Sequence, residues 1–289
     1  MYVPKSGYRQ VGGAWIHPEA RIADGVTIEP GAVIGADVEI GRECWIGSGA
    51  LLYGPTVLGE ENEVHPTAVL GGPPQDVGYK GEPTRLLIGH RNVFREGVTV
   101  NRASAKASRV TLVGSGGYFM SGSHIAHDCE VGDNVILAND VLIAGHCRIG
   151  SNVNLAGGVA IVQHTTVGRF AFIGGLAGTS MDCEPFILHD GMPAQPHGIN
   201  IVGLRRGRFA HKTICNLKEA YRVLFSAGRC GLQDLDDARG EIERRGALCA
   251  EVDELLEFMR KSRLGRFGRQ QQTQPAIKLV PEAPAAGEG

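Results

Sequence analysis

A chain of 289 residues with 43% hydrophobic content is long enough to bury a large core, which excludes disorder for most of its length. Its formal net charge of −2 excludes a global pull toward nucleic acid or an anionic membrane, so any anionic partner has to meet a local basic patch. The 42 glycines against 6% aromatics favour many tight turns over a ring-packed core, and the seven cysteines, odd in number and without a Cys-x-x-Cys pair, signal neither a disulfide framework nor a thiolate zinc site.

Residues 1–14 read as an N-terminal extension. They lack a basic region followed by an apolar run, and nowhere do about 18 apolar residues follow one another, so the chain is expected to be cytoplasmic without integral membrane association. From Ile16 a large aliphatic recurs at every sixth position without a break to Leu70, and resumes in phase at Ile88, Phe94 and Val100. After a second insertion the repeat runs one residue out of phase from Val113 to Ile173. The next residue is often glycine (Gly35, Gly41, Gly47, Gly59), and the fourth is usually small (Ala32, Cys44, Ala50, Ser123, Cys129, Cys147).

A six-residue period fits neither an amphipathic helix nor a hairpin meander. It fits short strands on the three faces of a triangular prism, with the aliphatic inward, the small residue beside the corner and glycine accommodating the turn. The predicted fold is mainly β: a left-handed parallel β-helix of hexapeptide repeats over 15–200, in which the 24 aliphatics make eight stacked coils of 18 residues. Cys44, Cys129 and Cys147 fill the small inward slot and are assigned no chemistry.

Helical spacing takes over from Leu204, with Ile214, Leu217, Tyr221 and Leu224 on one face, then Leu235, Ala238 and Ile242, then Val252, Leu255, Leu256 and Met259. This predicts a C-terminal α-helical domain over 201–268. Gly228 and Gly231 around Cys230 should end one helix, and the Gln-, Pro- and Ala-rich stretch 269–289 reads as a disordered tail.

Histidine passes protons near neutral pH, so its placement in the repeat matters. His146 and His164 stand 18 residues apart and should stack on one edge of the prism; His127 lies 19 before His146, with His124 at the corner just before it. Asp128 follows His127 as an orienting carboxylate, and Gly145 could offer a backbone N–H to a developing oxyanion. An edge with a base and an oxyanion donor suits attack by a hydroxyl on a thioester.

The residues Gln75-Asp76 with Gly81-Glu82-Pro83-Thr84-Arg85, His124-Ile125-Ala126-His127-Asp128-Cys129, Leu137-Ala138-Asn139, Ala144-Gly145-His146, Gly198-Ile199-Asn200 and Gly203-Leu204-Arg205-Arg206 together resemble the acyl-acyl-carrier-protein:UDP-N-acetylglucosamine O-acyltransferase family, over roughly residues 15 to 265. The resemblance implies the first step of lipid A synthesis: transfer of a fatty acyl group from acyl carrier protein to the 3-hydroxyl of UDP-N-acetylglucosamine. It makes His127 the general base, Asp128 its orienting partner and Gly145 the oxyanion donor. By the same resemblance His124 and His146 line the pocket for sugar and acyl chain, Asp76 contacts the sugar from a neighbouring subunit, and Arg206 with Asn200 holds the nucleotide. Arg205 belongs to the same motif.

The chain departs from the family where Gln163 precedes His164, reversing the usual order in a loop one residue shorter. It also has Val202 at a usually acidic position, and Gly78 for a lysine, with Lys80 nearby. These departures leave open an acyltransferase acting on another, amino, nucleotide sugar. A zinc hydratase with three histidines on a β-helix trimer, like γ-class carbonic anhydrases, is a further alternative, as is a trimeric solenoid without catalysis. On the main reading no metal and no bound cofactor are needed, because the acyl donor travels on the phosphopantetheine of acyl carrier protein. A homotrimer is expected, since on this reading Asp76 can join the histidine edge only from another prism alongside. Arg205, Arg206, Arg208, Lys212 and Arg222 are expected to dock the acidic carrier.

Overall fold

Every strand of the repeat pairs in parallel with the strand one coil on, as in Trp15 against Val33 and Leu142 against Ala160. A computed structural model of the chain describes residues 7–225 and 232–273. The strands of the repeat are two to four residues long and stack into three sheets, which are the faces of a left-handed parallel β-helix. The first face runs from Ala14–Ile16 to Gly178–Thr179, the second from Arg21–Ile22 to Thr166–Val167, and the third from Thr27–Ile28 to Ile187–Asp190.

The repeating aliphatics form one continuous core, fully buried from Ile34 to Ile173, with Phe94 and Phe119 stacked 4.9 Å apart inside it. The lowest coil is looser: Ile16 and Ile28 are half-buried and Ile22 is exposed. The small slots at Ala32, Cys44, Ala50, Ser123, Cys129 and Cys147 are buried as expected. Their thiols also donate locally, Cys129 Sγ to Ala144 O (3.2 Å) and Cys147 Sγ to Val162 O (3.2 Å).

The glycine after each aliphatic is there for a different reason than turn geometry. A Cβ on Gly41 would sit 2.6 Å from the carbonyl carbon of Gly59, and one on Gly59 2.5 Å from Gly89 O, so these positions are glycine because adjacent coils nearly touch. The left-handed backbone falls two residues later, where Asp37, Glu43, Asp128, His146 and His164 all have φ between 55° and 65°.

Three boundaries differ from the sequence reading. The extension before residue 15 contains a strand, Arg9–Val11, laid antiparallel on Ala14–Ile16 at the open end of the prism. At the other end Gln195–Ile199 turns back antiparallel on Ile187–Asp190 and leads into the helices. The stretch read as a tail begins with a strand, Arg269–Thr273, antiparallel to Gly265–Arg266; a polar sequence lacks the hydrophobic alternation that would reveal it.

Among the described residues four helices, α1 (Ile201–Arg206), α2 (His211–Phe225), α3 (Leu232–Arg244) and α4 (Ala250–Leu264), form a second core joined to the prism by Phe186, Ile187 and Ile199. Gly228, Cys230 and Gly231, and the tail beyond residue 273, lie outside the described residues. Among the described residues no helix is long and apolar enough to cross a membrane.

Candidate active site

Each coil turns a corner between the first and second faces, and that corner carries the histidines. His127-Asp128, Gly145-His146 and Gln163-His164 occupy it in three successive coils. Both interruptions of the hexad repeat also leave from it: 73–84 follows the strand Val69–Gly72, and 102–109 follows Thr99–Asn101. The two insertions therefore flank the histidine column one and two coils below.

Asp128 is the fixed point. Its carboxylate is buried, with Oδ2 accepting from His127 Nδ1 (2.7 Å) and from the backbone N–H of Ser104 (3.0 Å), while its own N–H donates to Thr111 Oγ1 (2.8 Å). Burial alone would raise its pKa, but the hydrogen bonds from His127 and Ser104 outweigh that and hold it below the ordinary carboxylate value. With Nδ1–H committed to Asp128, His127 keeps Nε2 as the proton acceptor.

Gly145 lies against the face of that ring. A Cβ there would sit 2.7 Å from His127 Cε1, so a larger residue would have to displace that ring, and the Gly145 N–H donates to no protein acceptor among the described residues. His146 stands edge-on to His127 with centroids 5.2 Å apart, and stacks on His164 at 4.7 Å and 12°. Desolvation lowers the pKa of both His146 and His164. His124, on the strand below, is held by Thr99 Oγ1 (2.7 Å) and is also lowered, chiefly by burial. A groove of about 540 Å³ runs along this corner, lined by Lys106, Asp128, His146, Gln163, His164 and Gln271.

Asp76 reaches this corner within the same chain, which corrects its placement on a neighbouring subunit. It pairs with Lys106 at 2.6 Å and accepts from Gly78 N (2.9 Å), and these bonds lower its pKa, with a further contribution from the field of His127. Lys106 escaped the sequence reading because it sits in the second insertion. The signal was the phase shift itself: both insertions interrupt the repeat at one corner.

Arg205, Arg206 and Asn200 are elsewhere. Arg206 lines a separate groove of about 490 Å³ with Asn152, Phe170, Phe172 and Leu188 on the third face, which lies opposite the histidine corner. Asn200 caps α1, accepting from Gly203 N and donating to Phe170 O, both at 2.9 Å, so both ends of its amide are engaged. Arg205, Arg206, Arg208 and Lys212 are exposed, whereas Arg222 is paired with Glu219 and does not add to their unneutralised charge.

Among the described residues no tri-histidine zinc site is formed. The parallel stacking of His146 and His164 keeps their ring lone pairs from converging, and the cluster that does come together, within 4.8 Å, is His127, Asp128 and His146. In that cluster His127 Nδ1 and Asp128 Oδ2 are already bonded to each other, so these two atoms are engaged with one another.

The chain is similar to known proteins in sequence and in fold. Residues 182–267 match the family model described as UDP N-acetylglucosamine O-acyltransferase, domain 2. An acyl-[acyl-carrier-protein]–UDP-N-acetylglucosamine O-acyltransferase from Syntrophobacter fumaroxidans is 47% identical over 257 residues, spanning 86% of this chain and 98% of the relative. The crystal structure of a UDP-N-acetylglucosamine acyltransferase from Bacteroides fragilis superposes with a TM-score of 0.81 at 36% identity, covering 86% of this chain and 95% of that one. The corresponding structure from Francisella novicida gives 0.80 at 30% identity, covering 86% and 89%.

Proposed function

The chain belongs to the UDP-N-acetylglucosamine O-acyltransferase family, and from that premise we propose that it moves a fatty acyl group from acyl carrier protein to the 3-hydroxyl of UDP-N-acetylglucosamine, the first step of lipid A synthesis, with His127 as general base. The observation that carries the base assignment is the 2.7 Å bond from His127 Nδ1 to buried Asp128, beside the unused N–H of Gly145.

A sugar hydroxyl is protonated near neutral pH and attacks a thioester only if its proton is removed as the bond forms. His127 Nε2 takes that proton while the hydroxyl oxygen bonds to the thioester carbon, and Asp128 stabilises the imidazolium. The carbonyl oxygen becomes an oxyanion and accepts from Gly145 N–H. The intermediate then collapses: the carbon–sulfur bond breaks and the thiolate of the carrier arm takes the proton from Nε2. His146 and His164, with burial lowering their pKa, stay neutral beside the imidazolium and add no like charge. Asp76, fixed by Lys106, is placed to hold the sugar, and no cofactor or metal takes part in these steps.

The nucleotide needs a cation, and Arg206 lies on the face opposite the histidine corner. One prism therefore lacks a complete site. A closed ring of copies, in which the corner of one meets the third face of the next, completes it, and three prisms with a threefold axis are the simplest such ring. In this assembly Arg205, Arg208 and Lys212 meet the acidic carrier, and Asn200 acts by capping α1 and so fixing Arg206. The place of action is the cytoplasm, where the carrier and the nucleotide sugar are made. The test is mass spectrometry of products after incubation with UDP-N-acetylglucosamine and a mixed pool of acyl carrier protein thioesters. An O-acylated nucleotide sugar is expected, and no acylated product would overturn the reading.

A further inference from the structure

The strand that the sequence hides runs along the histidine corner. After α4 the chain turns tightly through Arg266-Phe267-Gly268-Arg269, with φ of 57° at Phe267 and 65° at Gly268. Such a turn ordinarily takes Asn-Gly, and an aromatic residue in left-handed backbone is a strained choice. The turn is nevertheless firmly held: Asp182 N donates to Gly268 O (2.9 Å), and Asp182 Oδ2 accepts from Gln270 N (2.8 Å) and Ser262 Oγ (2.9 Å). Beyond it, Gln271 Nε2 donates to His146 O (3.1 Å), and Arg269 Nη1 donates to Gln163 O (3.0 Å).

This turn places two like charges together. Arg266 and Arg269 are direct cross-strand partners, and both guanidinium groups lie over the Phe267 ring, at 4.6 and 5.3 Å. Like charges directly opposite each other are destabilising. Neither is paired with a carboxylate among the described residues, and Arg269 Nε is buried without a hydrogen-bond partner. A rigid fork of donors with no anion, at the rim of a reaction groove, matches a phosphate ester.

We propose that Arg266 and Arg269 form a phosphate-ester subsite at the rim of the histidine groove. This rests on the function proposed above, in which both substrates carry such a group: the donor as the phosphodiester of its pantetheine arm, the acceptor as its diphosphate. The donor arm is the source that the topology favours. The turn stands between the helical domain and the groove, and the exposed Phe267 ring would meet the branched apolar carbons that follow the arm's phosphate.

The experiment compares wild type with Arg266→Gln, Arg269→Gln and Arg269→Lys, using acyl carrier protein thioester and phosphate-free acyl-pantetheine with the same acyl chain, each against UDP-N-acetylglucosamine. If the arm is the ligand, each glutamine variant lowers the ratio of kcat/KM for the carrier donor over the phosphate-free donor by roughly tenfold, and Arg269→Lys recovers part of it. If the nucleotide is the ligand, that ratio holds and KM for the nucleotide sugar rises by roughly the same factor, which moves the source and keeps the subsite. The subsite is overturned if neither quantity moves, or if kcat falls equally with both donors at unchanged KM, since that marks a merely structural turn. An inactive wild type would refute the function instead, so the two failures are distinct.

Discussion

Asp76 and Lys106 form an ion pair of 2.6 Å between two insertions that leave the prism at the same corner in successive coils. Neither insertion has a regular strand, and they are coupled by this pair beside His127 and by Arg102, which donates to Tyr79 OH (3.4 Å) and lies over its ring. Asp76→Asn should lower kcat/KM for the nucleotide sugar by about 10- to 100-fold, as expected for a lost charge-assisted contact to substrate. Lys106→Ala should have a smaller effect of the same kind, and the double variant should lose less than the two singles combined. Strict additivity in steady-state kinetics would show that the pair does not act as a unit.

Gly145→Ala puts a methyl group 2.7 Å from His127 Cε1, and the histidine ring is the part that can give way. Turnover should fall about 10²-fold or more, while the thermal midpoint changes little, because only the His127 ring and the Gly145 N–H, the base and oxyanion donor proposed above, are displaced. His127→Ala should lower kcat by roughly 10²- to 10⁴-fold with KM for the sugar nearly unchanged, the pattern of a group that matters in the transition state. His164→Ala, a coil further on and joined to His127 only through His146, should cost much less. Equal losses at His127 and His164 would remove the distinction drawn between them.

The histidines also set a pH dependence of stability. Burial lowers His124, His146 and His164 below their ordinary 6.5, so the folded chain binds these protons less readily than the unfolded one. Their contribution is present above the unfolded value and is lost as pH falls through it. Asp128, held below 3.8, adds a second contribution that disappears only in stronger acid. Thermal melts should therefore hold steady from pH 8 to 7 and decline between pH 6.5 and 5, and His146→Asn with His164→Asn should flatten that decline. An unchanged slope in the double variant would place the acid sensitivity elsewhere.

Most of this architecture was legible because a β-helix writes its period into its core. The aliphatic at every sixth position has to point inward, so the coils and the buried cysteine slots followed from spacing alone. The histidine corner was legible for the same reason, since residues 18 apart stack. What the period could not convey lay outside it. Lys106 and Asp76 come from insertions, and only their contact shows that they meet within one chain. The strand Arg269–Thr273 is polar, with three consecutive glutamines, because it is held by side chain to carbonyl bonds such as Gln271 to His146 O rather than by a buried face. Asn200 kept its place in the motif but has the work of a cap, which depends on where α1 begins.

The division of the site between copies can be tested without a structure of the assembly. His127 stands on the corner between the first and second faces and Arg206 on the third, so if both serve one reaction they do so across an interface. His127→Ala and Arg206→Ala chains should each be nearly inactive alone. Co-expressed and purified through different tags as mixed oligomers, they should recover activity, because a His127 from the Arg206→Ala chain can meet an Arg206 from the His127→Ala chain. In a ring of three that contains both kinds of chain, one site in three is intact, so activity should approach about a third of wild type. Light scattering should give the mass of three chains for the same preparation. A site contained within one chain would leave the mixture as inactive as its parents, since every chain then carries one defect, and recovery without a trimer mass would move the interface to another symmetry.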